Sequence, residues 1–318
     1  MTDNFTHVDS KKIPVVFDTD PGIDDAMALL FLHACSNTVL TGITTVFGNA
    51  SVEQCTENAL YLCERFNIDV PVYIGANLTV LGKSESNYPA FVHGDDGLGN
   101  INAAQPKLQA EETSATDFLI EAAAANKGEL VIIAVGRMTN LALAINESPN
   151  FSQHVKEVII MGGAVDVPGN VTEWAEANII GDPEAADILF KSGIPVTQLG
   201  LDVTMETIMM ASYIDELSRN AGDAGKLLSE ITPYYLNFFK EREGVDGFAC
   251  HDSSAIAYLE DPDVYTTKSG TLSVVLDGEQ RGRTLFAEQA NGIHTLCTHV
   301  DAIRMLALYK DYLIRCYA

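Results

Sequence analysis

Residues 18–25 read D-T-D-P-G-I-D-D and follow at once on the apolar run Ile13-Pro14-Val15-Val16-Phe17. A β-branched run of this kind reads as a buried strand, Pro21-Gly22 forces a tight turn, and Asp24-Asp25 open an apolar helix running from Ala26 to Leu32. Whatever fold the chain adopts must therefore bring four carboxylates to the C-terminal end of one strand. Acidic residues at a helix start cap free N–H groups and suit the helix dipole, which accounts for one or two of them. All four together repel one another unless something positive sits among them. An oxygen-rich, thiol-free cluster suits a hard cation such as Ca²⁺ or Mg²⁺.

The rest of the chain repeats this strand-then-helix rhythm. Strands are predicted at 13–18, 38–46, 130–135, 155–161 and 195–199, with helices at 25–34, 51–65, 114–126, 138–147 and 183–191. That order predicts an α/β fold, a single domain over 13–318 with a mostly parallel central sheet flanked by helices, preceded by a polar segment at 1–12. Beyond residue 200 the pattern turns helical (206–218, 223–241, 252–259), then gives a hairpin at 271–287, a strand at 293–299 and a closing helix at 301–314. In open α/β sheets the site lies beyond the C-terminal ends of the strands. There the sequence places the aspartates, Gly48-Asn49, Gly136-Arg137-Met138-Thr139-Asn140 and Met161-Gly162-Gly163, a rim of glycine turns with polar neighbours.

A net charge of −25, from 19 basic and 44 acidic residues, argues against nucleic acid and against anionic membrane surfaces. The six cysteines form no C-x-x-C pair, so neither a zinc site nor a disulfide framework is supported. No stretch is apolar enough to span a bilayer, and Met1 to Lys12 lacks a signal peptide's apolar core, so a cytoplasmic protein is expected.

Three further clusters carry possible chemistry. His251-Asp252 opens a helix-like stretch; it reads either as a cap beside a packed histidine, or as a metal oxygen beside an acid that works near neutral pH. Asn170, Glu176 and Asn178 lie in one polar loop, suited to hydrogen-bonding vicinal hydroxyls or simply rich in turn formers. His93-Gly94-Asp95-Asp96-Gly97 is glycine-rich without the Lys and Ser/Thr of a P-loop, and reads as a mobile loop near the site. Asp182-Pro183 has the form of a capped helix start, a structural role. Of Tyr234, Tyr235 and Phe238 on one helix, two are expected in the core, with Tyr234 or Phe238 held as a contact for a ligand's ring.

In chain order these segments resemble the inosine-uridine preferring nucleoside hydrolase family, from Ile13 to the final helix, with D-T-D-P-G-I-D-D as the most specific element. Gly48-Asn49, Thr139-Asn140, Met161-Gly162-Gly163, Glu176-Ala177-Asn178 and His251-Asp252 support it. The resemblance implies hydrolysis of the N-glycosidic bond of ribonucleosides to free base and ribose, in purine and pyrimidine salvage. It implies a Ca²⁺ ion held by Asp20, Asp25, the backbone carbonyl of Thr139 and Asp252, with Asp20 also acting as general base toward water on the ion. It implies ribose contacts from Asp24, Asn49, Asn170, Glu176 and Asn178, with Met161 packing at the sugar and Asp18 supporting the turn. His251 would assist the leaving base, with His93 as a second candidate, and the chain would form a homodimer or homotetramer.

Elementary chemistry agrees with that assignment. Breaking an N-glycosidic bond builds positive charge on the sugar ring, which a carboxylate-rich pocket stabilises. Two departures stand out: Arg137 replaces the turn proline of the family's G-P-L-T-N, and Ser253 replaces the proline of its H-D-P-x-A. The alternatives are a Mg²⁺-dependent phosphatase of the haloacid dehalogenase type, which lacks its lysine here, and a non-catalytic ribose- or nucleoside-binding homologue.

Overall fold

The computed structural model describes residues 12–318. Of the polar segment expected at 1–12, residues 1–11 lie outside the described residues. Eleven strands are present among the described residues: β1 (Ile13–Thr19), β2 (Thr38–Thr45), β3 (Val72–Tyr73), β4 (Leu130–Ala134), β5 (Val155–Met161), β6 (Val196–Leu199), β7 (Ile208–Met210), β8 (Gly247–Ala249), β9 (Tyr265–Val274), β10 (Thr284–Glu288) and β11 (His294–Val300). Nine of them form one sheet in the order β10-β9-β11-β6-β5-β4-β1-β2-β3, while β7 and β8 pair separately. From β3 across to β11 every pairing is parallel; β9 and β10 add an antiparallel edge.

The alternation of β1 shows why helices must cover both faces. Val15 and Phe17 enter one apolar core and Val16 the other, and all three are buried. The first core takes the helices Ile23–Ala34, Val52–Phe66, Gly222–Glu243, Ser253–Glu260 and Ala302–Tyr317. The second takes Ala115–Ala125, Thr139–Glu147 and Pro183–Lys191. Helix Ile23–Ala34 is buried from Ala26 through Leu32, because helices press on it from several sides. Burial of a side chain such as Phe31 there is worth about 2 kcal/mol.

The chain leaves β1 in opposite directions: to β2 on one side and, later, to β4 on the other. A crevice therefore opens between their C-terminal ends, where ligands of open α/β sheets bind. Asn140 spans it. Its Nδ2 donates to Asp18 Oδ2 (2.8 Å) and to the carbonyl of Thr45 (3.0 Å), while its Oδ1 accepts from Ala76 N–H (2.8 Å).

The strands and helices expected up to residue 199 are present with ends shifted by a residue or two. The helix expected at 206–218 is not continuous. Residues 208–210 form β7, because they pair with β8 at long range, and the helix begins at Ala211. The hairpin is longer than 271–287, starting at Tyr265, where β9 also pairs with β11. Strands of two or three residues, β3 and β8, carry too little pattern to be read in advance. Among the described residues no helix is long and apolar enough to cross a membrane.

Asp182 ties this frame together as the sequence suggested. Its carboxylate caps Ala185 N–H (3.3 Å) and accepts from Thr139 Oγ1 (2.8 Å) and Val80 N–H (2.8 Å). Asp182→Ala strands these donors in a buried place, so urea unfolding should show a loss of about 2–4 kcal/mol. A loss below about 0.5 kcal/mol, the size of a surface change, would contradict it.

Candidate active site

The site begins with the turn after β1. Gly22 caps helix Ile23–Ala34, and Asp25, in its first turn, folds back over the strand end. Asp25 Oδ1 accepts from Thr19 Oγ1 (2.5 Å) and Asp20 N–H (3.1 Å); its Oδ2 accepts from Gly22 N–H (2.9 Å) and Asn49 Nδ2 (2.9 Å). Asn49 N–H in turn donates to Asp20 Oδ2 (2.8 Å), so the loop after β2 is fastened to the aspartate turn at two points. Asp18, one pleat back on β1, is held by Thr44 Oγ1 (2.6 Å) and Asn140, as a support for the turn.

Asp20 sits where two backbones approach its carboxylate. A Cβ on Gly48 would lie 1.9 Å from Asp20 Oδ2, and one on Gly136 would lie 2.6 Å from Oδ1. Only glycine fits at those loop ends without moving the carboxylate.

The electrostatics are unfavourable without a partner. Burial pushes Asp20, Asp25 and Asp252 above the usual carboxylate range, and the neighbouring aspartates push them further. Burial raises Asp24 to about 6 and Asp18 to about 7. Oδ1 of Asp18, of Asp20 and of Asp24 are buried with no hydrogen-bond partner. Oxygens of Asp24, Asp25 and Asp252 lie within 4.8 Å of one another, with Asp20 raising the pKa of Asp252 from beside them. Orphaned carboxylate oxygens in a buried, all-oxygen donor set fit a hard divalent cation. The trio includes Asp24, which the sequence reading placed at the sugar, and leaves Asp20 at its margin.

Above the aspartates lies a cavity of about 460 Å³. Its walls contain Asp24, Asn49, His93, Met161, Asn170, Glu176, Asn178, His251 and Asp252, which the sequence scatters from residue 24 to residue 252. Asp20 and Asp25 lie buried beneath them. Glu176 is also a helix cap: its carboxylate accepts from the backbone N–H groups of Gly163 (2.8 Å), Asn178 (2.9 Å) and Ile179 (3.2 Å). Asn178 donates from Nδ2 to the carbonyls of Val135 (2.6 Å) and Met161 (3.1 Å), locking the amide to the ends of β4 and β5.

Thr139 is not among the cavity walls. It is the first residue of helix Thr139–Glu147, so its carbonyl points along that helix away from the crevice, and its hydroxyl is spent on Asp182. Val135, directly after β4, presents a backbone carbonyl at the cavity instead. Of the aromatic trio, Phe238 lines the cavity, and Tyr235 is buried in the core, from which it also reaches the cavity and donates to Asp24 Oδ2 (3.3 Å). Tyr234 turns aside to the carbonyl of Ala90 (2.9 Å). The loop at 93–102 is closely tied, with Asp96 accepting from the N–H groups of Leu98, Asn100 and Asn102. Arg137 fills the place of the absent proline by stacking on Phe47 (4.3 Å) and pairing with Glu85 (3.5 Å).

Both histidines are buried and pushed down to about 4, by burial first; the charge of His93 adds to this at His251, while Asp25 opposes it at His93. Each is therefore neutral near pH 7. His93 Nδ1 accepts from Ile23 N–H (3.2 Å), which puts the ring hydrogen on Nε2, and the ring stacks on Tyr235 (5.5 Å between centroids). His251 Nδ1 lies 2.8 Å from Thr204 Oγ1.

The profile of the family described as inosine-uridine preferring nucleoside hydrolase matches residues 15–307. The chain is 40% identical over 278 residues to an Arabidopsis thaliana protein named probable uridine nucleosidase 2, covering 87% of this chain and 86% of the relative. It superposes on a plant nucleoside hydrolase, PpNRh1, with a TM-score of 0.92 and 34% identity over 95% of this chain and 99% of that one. A purine-preferring ribonucleoside hydrolase from Gardnerella vaginalis gives a TM-score of 0.91 with 33% identity, over 95% and 98% of the two chains.

The carboxylates set a sign for the effect of pH. Their folded-state pKa values lie above the unfolded ones, so the folded protein holds extra protons from about pH 4 up to those values, and their contribution to stability falls as pH rises through that window. A cation that takes the protons' place should stabilise more where they are gone. Adding Ca²⁺ to chelator-treated protein should raise Tm by roughly 3–8 °C at pH 7 and by clearly less at pH 5. Equal gains at both pH values, or none, would contradict the cluster as a cation site.

Proposed function

The chain belongs to the inosine-uridine preferring nucleoside hydrolase family, an enzyme family of N-glycosyl hydrolysis, and on that premise we propose Ca²⁺-dependent release of free base and ribose from ribonucleosides. The observation that carries the proposal is the pair of partnerless, buried carboxylate oxygens on Asp20 and Asp24, beneath a cavity walled by amides and neutral histidines. The family match from residue 15 to 307 sets aside the phosphatase alternative.

Asp20, Asp25 and Asp252 would hold the ion, with the Val135 carbonyl in the place expected of Thr139. When bound, such an ion neutralises the carboxylates and makes a water easier to deprotonate. The chain's own groups do the rest. Asp20, held at Oδ2 by Asn49 N–H, would also take the proton of the attacking water. Asp24 offers its free Oδ1 to a ribose hydroxyl. Asn178 spends Nδ2 on carbonyls and keeps Oδ1, whereas Asn170 spends Oδ1 on Ala177 N–H (3.0 Å) and keeps Nδ2. These amides are oriented before the substrate arrives, which favours a single sugar pose. As the bond to the base lengthens, the positive charge on the sugar lies among carboxylates, which stabilise it.

A base departs more easily when a donor meets the nitrogen it frees. His251 and His93 supply neutral N–H donors from the cavity wall, and Phe238 and Tyr235 offer ring faces to a planar base. A histidine at the leaving-group end favours inosine and uridine over adenosine.

Ribose release from uridine, inosine, cytidine and adenosine tests the proposal. Wild-type protein should hydrolyse uridine or inosine fastest, chelation should abolish release, and Asp20→Asn should lower kcat by at least about 10²-fold. Absence of release from every riboside by well-folded protein, or full activity in Asp20→Asn, would overturn it.

A further inference from the structure

On the reading of His251 as the group that assists the leaving base, we infer that Thr204 is a positioning residue whose hydroxyl holds the His251 ring in the tautomer that carries its hydrogen on Nε2. Thr204 Oγ1 and His251 Nδ1 are 2.8 Å apart, and both residues are buried, so bulk water does not compete for either atom. That nitrogen is the hydroxyl's only partner among the described residues. A hydroxyl has one hydrogen to give. Were the ring hydrogen on Nδ1, it would donate to Oγ1 and strand the hydroxyl's own hydrogen in a buried place. The arrangement that satisfies both has Thr204 donating to Nδ1, which leaves Nε2–H as the ring's free donor. A base leaving with its electron pair needs a donor there; the other tautomer would present a lone pair.

The backbone fixes the distance between the two residues. Thr204 ends the one-turn helix Leu201–Thr204 that follows β6. Leu201 N–H donates to the carbonyl of Gly163 (2.8 Å), and the Asp202 carboxylate accepts from the N–H groups of Val165 (3.0 Å) and Asp166 (2.7 Å), so the turn cannot drift from the sheet. On its other side the chain runs into β7, which pairs with β8 at Ile208 and Ala249. Cys250 N–H donates to the carbonyl of Thr207 (2.8 Å), and His251 is the next residue. Two mutually paired segments thus carry the hydroxyl and the imidazole. The same turn anchors the start of the loop that bears Asn170 and Glu176, so the sugar and leaving-group ends share one support. Valine would fill the space of Thr204 equally well, which leaves the hydroxyl as the part that matters.

The test compares wild type, Thr204→Val and Thr204→Ser, with melting temperatures measured to confirm folding. Hydrolysis of uridine, whose base needs a proton donor, is set against p-nitrophenyl riboside, whose leaving group does not. Thr204→Val should slow uridine hydrolysis by about 10- to 100-fold relative to the p-nitrophenyl rate, and Thr204→Ser should restore the ratio. In protein labelled with ¹⁵N-histidine, with the His251 signal assigned by its loss in His251→Gln, wild type should show the Nε2–H tautomer, and Thr204→Val should shift it. An Nδ1–H tautomer in wild type, or an equal loss on both substrates in Thr204→Val, would overturn the inference. If wild type hydrolyses neither riboside, the catalytic reading fails as a whole, while the tautomer spectrum still decides whether Thr204 fixes the ring.

Discussion

The mouth of the sheet turns on the carboxylate of Asp25. It gathers Thr19, Asp20, Gly22 and Asn49 onto two oxygens, joining the end of β1, the turn, the helix start and the loop after β2. Take that carboxylate away and three backbone or amide donors lose their acceptor, and the side chain of Asn49 is no longer tied to the aspartate turn. A helix cap is ordinarily a local matter worth about 1 kcal/mol. Here the capping group also sets the spacing between neighbouring acids, so the geometry of the site and the stability of the strand end depend on the same hydrogen bonds.

That geometry is costly by itself. Burial raises the pKa of Asp20, Asp24, Asp25 and Asp252 alike, and neighbouring aspartates raise those of Asp20, Asp25 and Asp252 further. Arg137 supplies a moderating charge, its guanidinium opposing the rise at Asp20 while lying on Phe47 and against Glu85. A proline in that turn would have held the loop rigid. Arginine holds it by stacking and pairing, and adds positive charge near an acidic cluster. Such screening does not offset several buried carboxylates, and the partnerless oxygens among them fit a divalent cation.

Much of this was legible in the sequence because strand ends are. The apolar runs of β1, β4 and β5 are long enough to identify, and whatever follows a parallel strand must face the crevice, so Asp20, Asn49 and Met161 could be placed without coordinates. Thr139 could not. The Gly136–Asn140 turn follows β4, but one peptide of it faces the cavity and the next belongs to a helix, and residue order does not say which. The same limit applies to Tyr234 and Tyr235, adjacent on helix Gly222–Glu243, where a rotation of about 100° per residue decides which ring meets the ligand. β7 and β8 were hidden for another reason. Their pairing joins segments almost forty residues apart, and neither three-residue strand carries a period of its own.

The two ends of the cavity are held by different means. At the end proposed for the sugar the polar groups are fastened to strand termini: Asn178 to the carbonyls of Val135 and Met161, Glu176 to the N–H of Gly163, Asn49 to Asp20 and Asp25. Each of those contacts ends on the backbone or on a buried carboxylate, so substitutions on the outer helices leave them unchanged. At the other end Tyr235 and Phe238 come from helix Gly222–Glu243 and His93 from the short helix Ala90–His93, and their positions depend on how those helices pack. On the proposed reading, ribose recognition is therefore a property of the sheet, whereas recognition of the base is a property of helix faces and is open to change without disturbing the sheet. His251 belongs to the first kind despite lying at the second end, because the β7–β8 pairing and Thr204 tie its ring to the backbone.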